Sequence, residues 1–491
     1  MGSHFWSPYR WRRRAWRPPL HASYAWPFRN WFKAIININY AALAVSASNI
    51  GLSGRMPGRA SKSLSFVLAF ATASVAVIGG LTILDLPREP DVLRIGRESS
   101  LPAFGGKRGV AIVQTFMFPA KNAAGRYVDD PYVPHWSAAM PAKRMRELKR
   151  SGFDFVRISV DPGPLLEGNS QTRERLISEI LSAVQSTVAQ GLKALVDVHP
   201  AGDGSRWDFS ALTAGLDAPA LQQLIEVERA LAALLAAFDP GDVALELFNE
   251  PPSPCQWSDR DDWPRQLKQI YDRVREVAPK LTLFVAGACW ASIEGLMLLD
   301  PEQFDPNTLF VFHFYEPFVF THQGYWGSRK YLQFVPPLAF PPIALHRDTT
   351  IAGIIEHIHG TTGLAEGEHE VAREARRALR DYFDGDQDQG FIAARLQEVA
   401  SWADRHGLDR ERIVLGEFGC MREVYGKKGA TPDDRARWIE TTRRSAERYG
   451  FRWAVWSLTN TMGIVTGDLD GKLDVTIVKA LGLNHHETRS P

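Results

Sequence analysis

Val243-Ala-Leu-Glu-Leu-Phe-Asn249-Glu250-Pro251 is a short apolar run that closes on a carboxamide, a carboxylic acid and a proline. The run has the length of one strand, and the proline, which has no N–H to give to a ladder, stops the pairing just past the acid. An ionisable group is thereby set at the rim of a sheet, where α/β enzymes keep their chemistry. Arg412-Ile-Val-Leu-Gly-Glu417-Phe-Gly419 ends in the same way. Either glutamate alone could cap a helix or pair with an arginine. Two of them at two strand ends suggest acid/base and nucleophilic work on one bond.

Outward from 243–249, apolar runs recur at 109–115, 153–160, 193–199, 281–287, 309–315, 412–418 and 452–458, which makes eight predicted strands. Amphipathic stretches at 141–150, 171–190, 218–237, 263–277, 390–406, 432–448 and 474–482 fall between them. Near-continuous apolar strands alternating with helices pair in parallel and are covered on both faces. Eight such units favour an α/β fold of the closed (β/α)8 TIM-barrel type over an open sheet. The regular spacing breaks at 117–140, which carries Tyr127, Tyr132, His135 and Trp136, and more widely after strand six. That second insertion, 317–389, has paired prolines at 336–337 and 341–342 and a predicted helix near 367–383; a loop so long at a barrel mouth is more often functional than idle.

Composition bounds the rest. Of 491 residues, 45% are hydrophobic and 23% charged, enough for a large core. The formal net charge of +1 hides an asymmetry: residues 1–84 hold ten Lys/Arg and no acid, leaving 47 basic against 56 acidic residues in the remainder. An acidic body argues against a nucleic-acid partner, and the body is expected to be a monomeric catalytic domain. Leu64–Leu84 is a charge-free run of 21 residues behind Arg55, Arg59 and Lys62. It is long enough to cross a bilayer, with the cations holding the N-terminus in the cytoplasm and the body exported. Ala71-Thr-Ala73 and Ser74-Val-Ala76 are small-x-small sites within it, so a cleaved signal peptide is the alternative to a membrane anchor. Both readings put the body outside the cytoplasm, periplasmic or extracellular.

Residues 1–55 scatter five tryptophans among arginines; they form an interfacial segment, or else they precede a true start at Met56. Residues 85–108, with Pro87, Pro90, Pro102 and Gly105-Gly106, read as a tether, and 109–491 as the body. Cys255, Cys289 and Cys420 lack metal-ligand spacing. Isolated buried thiols are the expectation, and a Cys255–Cys289 bridge is the alternative in an exported protein.

The strand ends present Arg157, His199, Asn249 with Glu250, His313 with Tyr315, Glu417 and Trp456. A lone strand-end histidine is usually a packed one; six strands of eight delivering polar or aromatic groups to one rim is hard to ascribe to packing. The set, read as Val156-Arg157, Val196-Asp-Val-His199, Leu247-Phe-Asn249-Glu250-Pro251, His313-Phe-Tyr315, Leu415-Gly-Glu417-Phe-Gly and Trp453-Ala-Val-Trp456, resembles glycoside hydrolase family 5, the cellulase family of the barrel glycosidase clan A. The likeness covers roughly residues 109–482. It implies a retaining β-glycosidase that cleaves a β-linked glucan with two carboxylates. Glu250 would be the acid/base and Glu417 the nucleophile, with Arg157 and Tyr315 bonded to Glu417. Asn249 would donate to the sugar 2-hydroxyl, His199 and His313 would orient sugar and carboxylates, and Trp456 would floor the cleavage subsite. An oligo- or polysaccharide is the implied partner, and no cofactor or metal is implied.

Trp136, Trp207, Trp257, Trp290, Tyr325 and Trp326 are candidate substrate platforms, with Trp290, just past strand five, the foremost. Two motifs are discounted. Asp468-Leu-Asp-Gly-Lys-Leu-Asp474 lacks the full ligand set of a calcium loop. A metal site on His199, His313 and Asp197 lacks the usual paired-histidine spacing. The chain departs from the family at Val113-Gln-Thr-Phe-Met-Phe-Pro119 and in the insertion after strand six, both of which line substrate subsites. A mannan or a β-1,3/1,6-glucan therefore stands beside the glucan reading, as does a non-catalytic carbohydrate-binding barrel.

Overall fold

The computed structural model describes residues 101–252, 263–325, 327, 329–361, 368–423, 426 and 428–484. All belong to Ile95–Pro491, one of two units into which the chain divides. The Arg/Trp-rich segment 1–55, the apolar run 64–84, Cys255, Trp257 and Trp326 lie outside the described residues. Among the described residues no helix is long and apolar enough to cross a membrane.

Eight parallel strands close a barrel in chain order: β1 (Arg108–Ile112), β2 (Phe155–Val160), β3 (Lys193–Val198), β4 (Val243–Glu246), β5 (Thr282–Ala286), β6 (Thr308–His313), β7 (Ile413–Glu417) and β8 (Arg452–Val455). Strand β8 pairs back to β1, so the sheet has no edge. Helices α1 (Ala142–Ser151), α2 (Ser170–Ala189), α3 (Pro219–Leu235), α4 (Trp263–Val277), α7 (Gln389–Arg405), α8 (Pro432–Arg448) and α9 (Val475–Ala480) form the outer layer, as the spacing predicts. Their starts are built from ordinary chemistry. Asn169 accepts from the Thr172 N–H at the head of α2, and Thr431 accepts from that of Asp434 ahead of Pro432 in α8. In the insertion, α5 (Arg347–Gly360) and α6 (Glu368–Asp384) pack as a helical hairpin. The sequence reading anticipates α6 but leaves α5 as loop.

The barrel interior changes character along its axis. At the floor Phe155, Leu195, Ala244, Phe284, Leu309, Val414 and Ala454 surround Phe104 in a small apolar cluster. Phe104 meets Phe155 and Phe284 edge-on, at centroid distances of 5.5 and 5.6 Å. Residues 104–108 are thus barrel floor and the start of β1, and the tether assignment 85–108 runs too far. Its glycines are there because a Cβ on Gly106 would strike the Phe104 and Phe155 rings. Because side chains alternate, one step of two residues up β2, β3 and β4 replaces Phe155, Leu195 and Ala244 with Arg157, Asp197 and Glu246. These three charged residues are fully buried. Every observed strand but β2 also ends before its predicted limit, at 115, 199, 249, 287, 315, 418 and 458, because the rim residues leave the ladder.

Candidate active site

Arg157, buried on β2, organises the centre of the barrel. Its Nε and Nη2 donate to the two carboxylate oxygens of Glu246 at 2.7 and 2.8 Å, and Nη2 also donates to Asn249 Oδ1 at 2.8 Å. Nη1 donates to Glu417 Oε1 at 2.7 Å and lies 3.1 Å from Asp197 Oδ2. A guanidinium fork suits such planar, divergent bonding, which a lysine could not reproduce. Burial disfavours its charge, but Asp197, Glu246 and Glu417 more than offset this and raise its pKa well above the ordinary value. Removing it would strand three buried carboxyls, a change that costs about 3–5 kcal/mol for a single broken buried pair.

The ring of contacts continues through β3. His199 Nδ1 bonds Asp197 Oδ2 at 2.8 Å, and Asn249 Nδ2 approaches His199 Nε2 at 3.1 Å. With the amide donating to Nε2, the imidazole proton sits on Nδ1 and the second amide hydrogen of Asn249 remains for a ligand hydroxyl. His199 stacks on Trp456 at 5.5 Å, and the Arg157 guanidinium lies 6.0 Å from the same indole. The floor of the mouth is therefore one polar network under one aromatic ring. Sequence reading did not assign Glu246 a role, nor Asp197 one outside a metal site. Their signal was available: each is a lone charge in an apolar strand, two or more residues inside the rim.

Glu250 and Glu417 face each other across His313. One carboxylate oxygen of each and a His313 nitrogen all lie within 4.8 Å of one another. Glu417 Oε2 accepts from the Tyr315 hydroxyl at 2.8 Å, so both of its oxygens are held by donors. Two local devices bring this about. The β6–β7 register slips between Phe312 and His313, which sets His313 opposite Glu417. Gly416 leaves room beneath it, since a Cβ there would lie 2.5 Å from Val311 Cγ1 and 3.1 Å from His313 Nε2. Among the described residues, the Glu250 carboxyl bonds His313 Nδ1, at 2.8 Å. Burial pushes its carboxyl up to about 7, whereas burial brings His313 down to about 4. Near neutral pH Glu250 is therefore close to half protonated, beside a neutral imidazole. Its backbone is held at a φ of 41°, a left-handed conformation that costs a glutamate about 1–3 kcal/mol and is typical of functional sites.

Trp290 stands beside this acid. Its backbone N–H donates to the Pro251 carbonyl at 2.9 Å, and its exposed ring meets Phe209 edge-on at 5.0 Å. Cys289, Trp290 and Ala291 are all left-handed, with φ of 58°, 60° and 54°. Three such residues in succession cost roughly 1–2 kcal/mol each, so the turn is held by its anchors. Cys289 is one of them, being disulfide-bonded, which corrects the expectation of isolated thiols at that position. Cys420 is a buried free thiol.

Other expectations fall elsewhere. Trp136 is buried, stacked on Phe116 at 6.0 Å, and its indole N–H donates to Ser186 of α2 at 2.9 Å. It lines a side cavity of about 540 Å³ between α1 and α2 and offers no open face at the catalytic rim, because the 117–140 segment folds it inward. Trp207 is likewise buried, and Tyr325 is exposed near His322. Asp474 of the discounted calcium motif caps α9 by accepting from the Thr476 and Ile477 N–H groups. Asp197 and His199 are engaged with each other, and His313 groups with Glu250 and Glu417, so the three do not converge as metal ligands.

A family model described as Cellulase (glycosyl hydrolase family 5) matches residues 122–462, well over half of the chain. Endoglucanase 3 of Fibrobacter succinogenes is 23% identical over 303 residues, 62% of this chain and 41% of its own length. The chain thus spans about two fifths of that relative. Among solved structures, the cellulose synthase subunit Z of Clostridioides difficile is 22% identical, with a TM-score of 0.53 over 77% of this chain and 99% of its own. Cel5A of Thermotoga maritima, solved with cellobiose, is 17% identical, with a TM-score of 0.54 over 76% of this chain and 97% of its own. At such identities the structural likeness speaks for the fold alone.

Proposed function

Since the chain belongs to glycosyl hydrolase family 5, we propose that it is a retaining β-glycosidase that hydrolyses a β-linked glucan, in the manner of an endoglucanase. The observation that carries this reading is the pairing of Glu250 and Glu417. Their facing oxygens lie within 4.8 Å, one carboxyl with its pKa pushed up to about 7 and the other bonded to a guanidinium. Retaining glycosidases have carboxyl groups about 5–5.5 Å apart, whereas inverting ones need about 6.5–9.5 Å to admit a water.

In the first step Glu417 attacks the anomeric carbon while Glu250 gives its proton to the leaving oxygen. The glycosidic C–O bond breaks, and a glycosyl ester forms on Glu417. In the second step Glu250, now a carboxylate, takes a proton from water as the water oxygen attacks the same carbon and expels Glu417. Arg157 and Tyr315 hold Glu417 in line, the remaining Asn249 hydrogen meets the sugar 2-hydroxyl, and Trp456 supports the ring. Export to the periplasm or beyond, through Leu64–Leu84, belongs to the same proposal, since a polysaccharide is met there.

The test is product release from β-glucans, β-1,3-glucans and β-mannans by the parent and by Glu417→Ala. The parent is expected to act most strongly on a β-1,4-glucan, and the variant to be at least a thousandfold slower. Equal release by both proteins contradicts the assignment. A preference for mannan moves the substrate while keeping the chemistry.

A further inference from the structure

The long insertion after β6 begins with a single helical turn, Phe318–Thr321, placed directly behind Tyr315. The Thr321 hydroxyl lies 2.6 Å from the Tyr315 carbonyl and 2.9 Å from His322 Nδ1. A hydroxyl has one proton to give, and the carbonyl can only accept. Thr321 therefore donates to Tyr315, and His322 donates to Thr321 from a protonated Nδ1. The imidazole edge meets the Tyr315 ring at 5.1 Å and 70°, and its face stacks on Phe318 at 3.8 Å and 12°. The guanidinium of Arg329 lies 4.2 Å over that same phenyl ring. The Met421 N–H donates to the Thr321 carbonyl at 2.8 Å, tying this turn to the segment that follows Glu417. Burial and the charge of Arg329 push His322 down to about 3, so it stays neutral and its hydrogen-bond pattern does not change over the working pH range.

Tyr315 in turn donates to Glu417 at 2.8 Å. We propose that His322 is a positioning residue for the reaction: through its contacts with Thr321, Phe318 and the Tyr315 ring it fixes the phenol on Glu417, which makes the start of the insertion part of the catalytic apparatus. A misplacement of this kind lowers the rate of the chemical step more than it weakens binding, because the Tyr315 ring would swing while the sugar contacts of Asn249 and Trp456 remain. The proposal rests on Glu417 as the nucleophile.

The experiment measures kcat and KM on an aryl β-cellobioside for the parent, Tyr315→Phe, His322→Ala, His322→Phe and the double variant Tyr315→Phe/His322→Ala, with thermal midpoints recorded for each. His322→Ala is expected to lower kcat about 10- to 100-fold with little change in KM. His322→Phe, which keeps the stack on Phe318 and the edge against Tyr315, is expected to recover most of that loss. The double variant should be no slower than Tyr315→Phe alone, because His322 acts only through that hydroxyl. A His322→Ala effect confined to KM, or losses that multiply in the double variant, would overturn the proposal. So would a His322→Phe protein that melts like the parent and is as slow as His322→Ala. Tyr315→Phe at the parental rate would overturn the nucleophile's supporting shell as well, which separates that failure from one specific to His322.

Discussion

On the proposed mechanism Glu250 must hold a proton to deliver it, and burial beside a neutral His313 raises its pKa to about 7. Its pKa lies above the ordinary carboxylate range, so the protonated, competent form prevails below about pH 7 and is lost above it. Accordingly kcat/KM should fall about tenfold per pH unit above that point. Glu250→Gln should lose the limb together with about 10²–10⁴ in rate on glycans, and should keep more of its rate on a dinitrophenyl glycoside, whose leaving group needs no acid. A basic limb unchanged in Glu250→Gln would assign the proton elsewhere. Glu417 is built in the opposite sense, since each of its oxygens accepts a short bond from Arg157 or Tyr315. Two carboxyls of one chemistry are thus given different environments by their neighbours, as the proposed acid and nucleophile require.

The elements that deliver these residues differ in how far they could be read from the sequence. The eight strands were legible because each is a continuous apolar run between helices, and the carboxylates at 250 and 417 were legible because each ends such a run. The slip at Phe312/His313 and the vacancy kept by Gly416 were not, since both depend on what faces β7 from β6. Helix α5 escaped because glycines and β-branched residues weaken its propensity, although Ile351, Ile354, Ile355 and Ile358 hold its buried face. Trp136 misled because a tryptophan near a barrel mouth can face the cleft or the wall, and only the fold of 117–140 decides which. Trp290 is the contrasting case, exposed on a left-handed turn bonded to Pro251. If it carries a sugar on the leaving-group side, Trp290→Ala should raise KM for cello-oligosaccharides about 3- to 10-fold. The same change should leave hydrolysis of a short aryl glycoside nearly as it was; an equal loss on both substrates would mean that the turn, not the ring, matters.

At the scale of the whole molecule, a closed barrel sets a polar centre on an apolar floor. Arg157, Asp197, Glu246 and Glu417 are affordable inside it only because they satisfy one another, and so they contribute specificity of arrangement more than stability. Stability is drawn from the apolar shell and from the floor, where Phe104 fills the end of the barrel. Phe104→Ala should therefore cost about 3–5 kcal/mol and lower the melting temperature while leaving KM unchanged; a parental melting temperature would mean that the floor is closed without it. The central claim concerns the bond that forms on Glu417. Incubation with an activated 2-deoxy-2-fluoro-β-cellobioside, followed by intact-mass and peptide analysis, tests it directly. The account predicts a mass gain of one fluorocellobiosyl group, carried on the peptide that contains Glu417 and absent from Glu417→Ala. A protein that hydrolyses β-glucan but gains no such mass, or gains it on another residue, contradicts it.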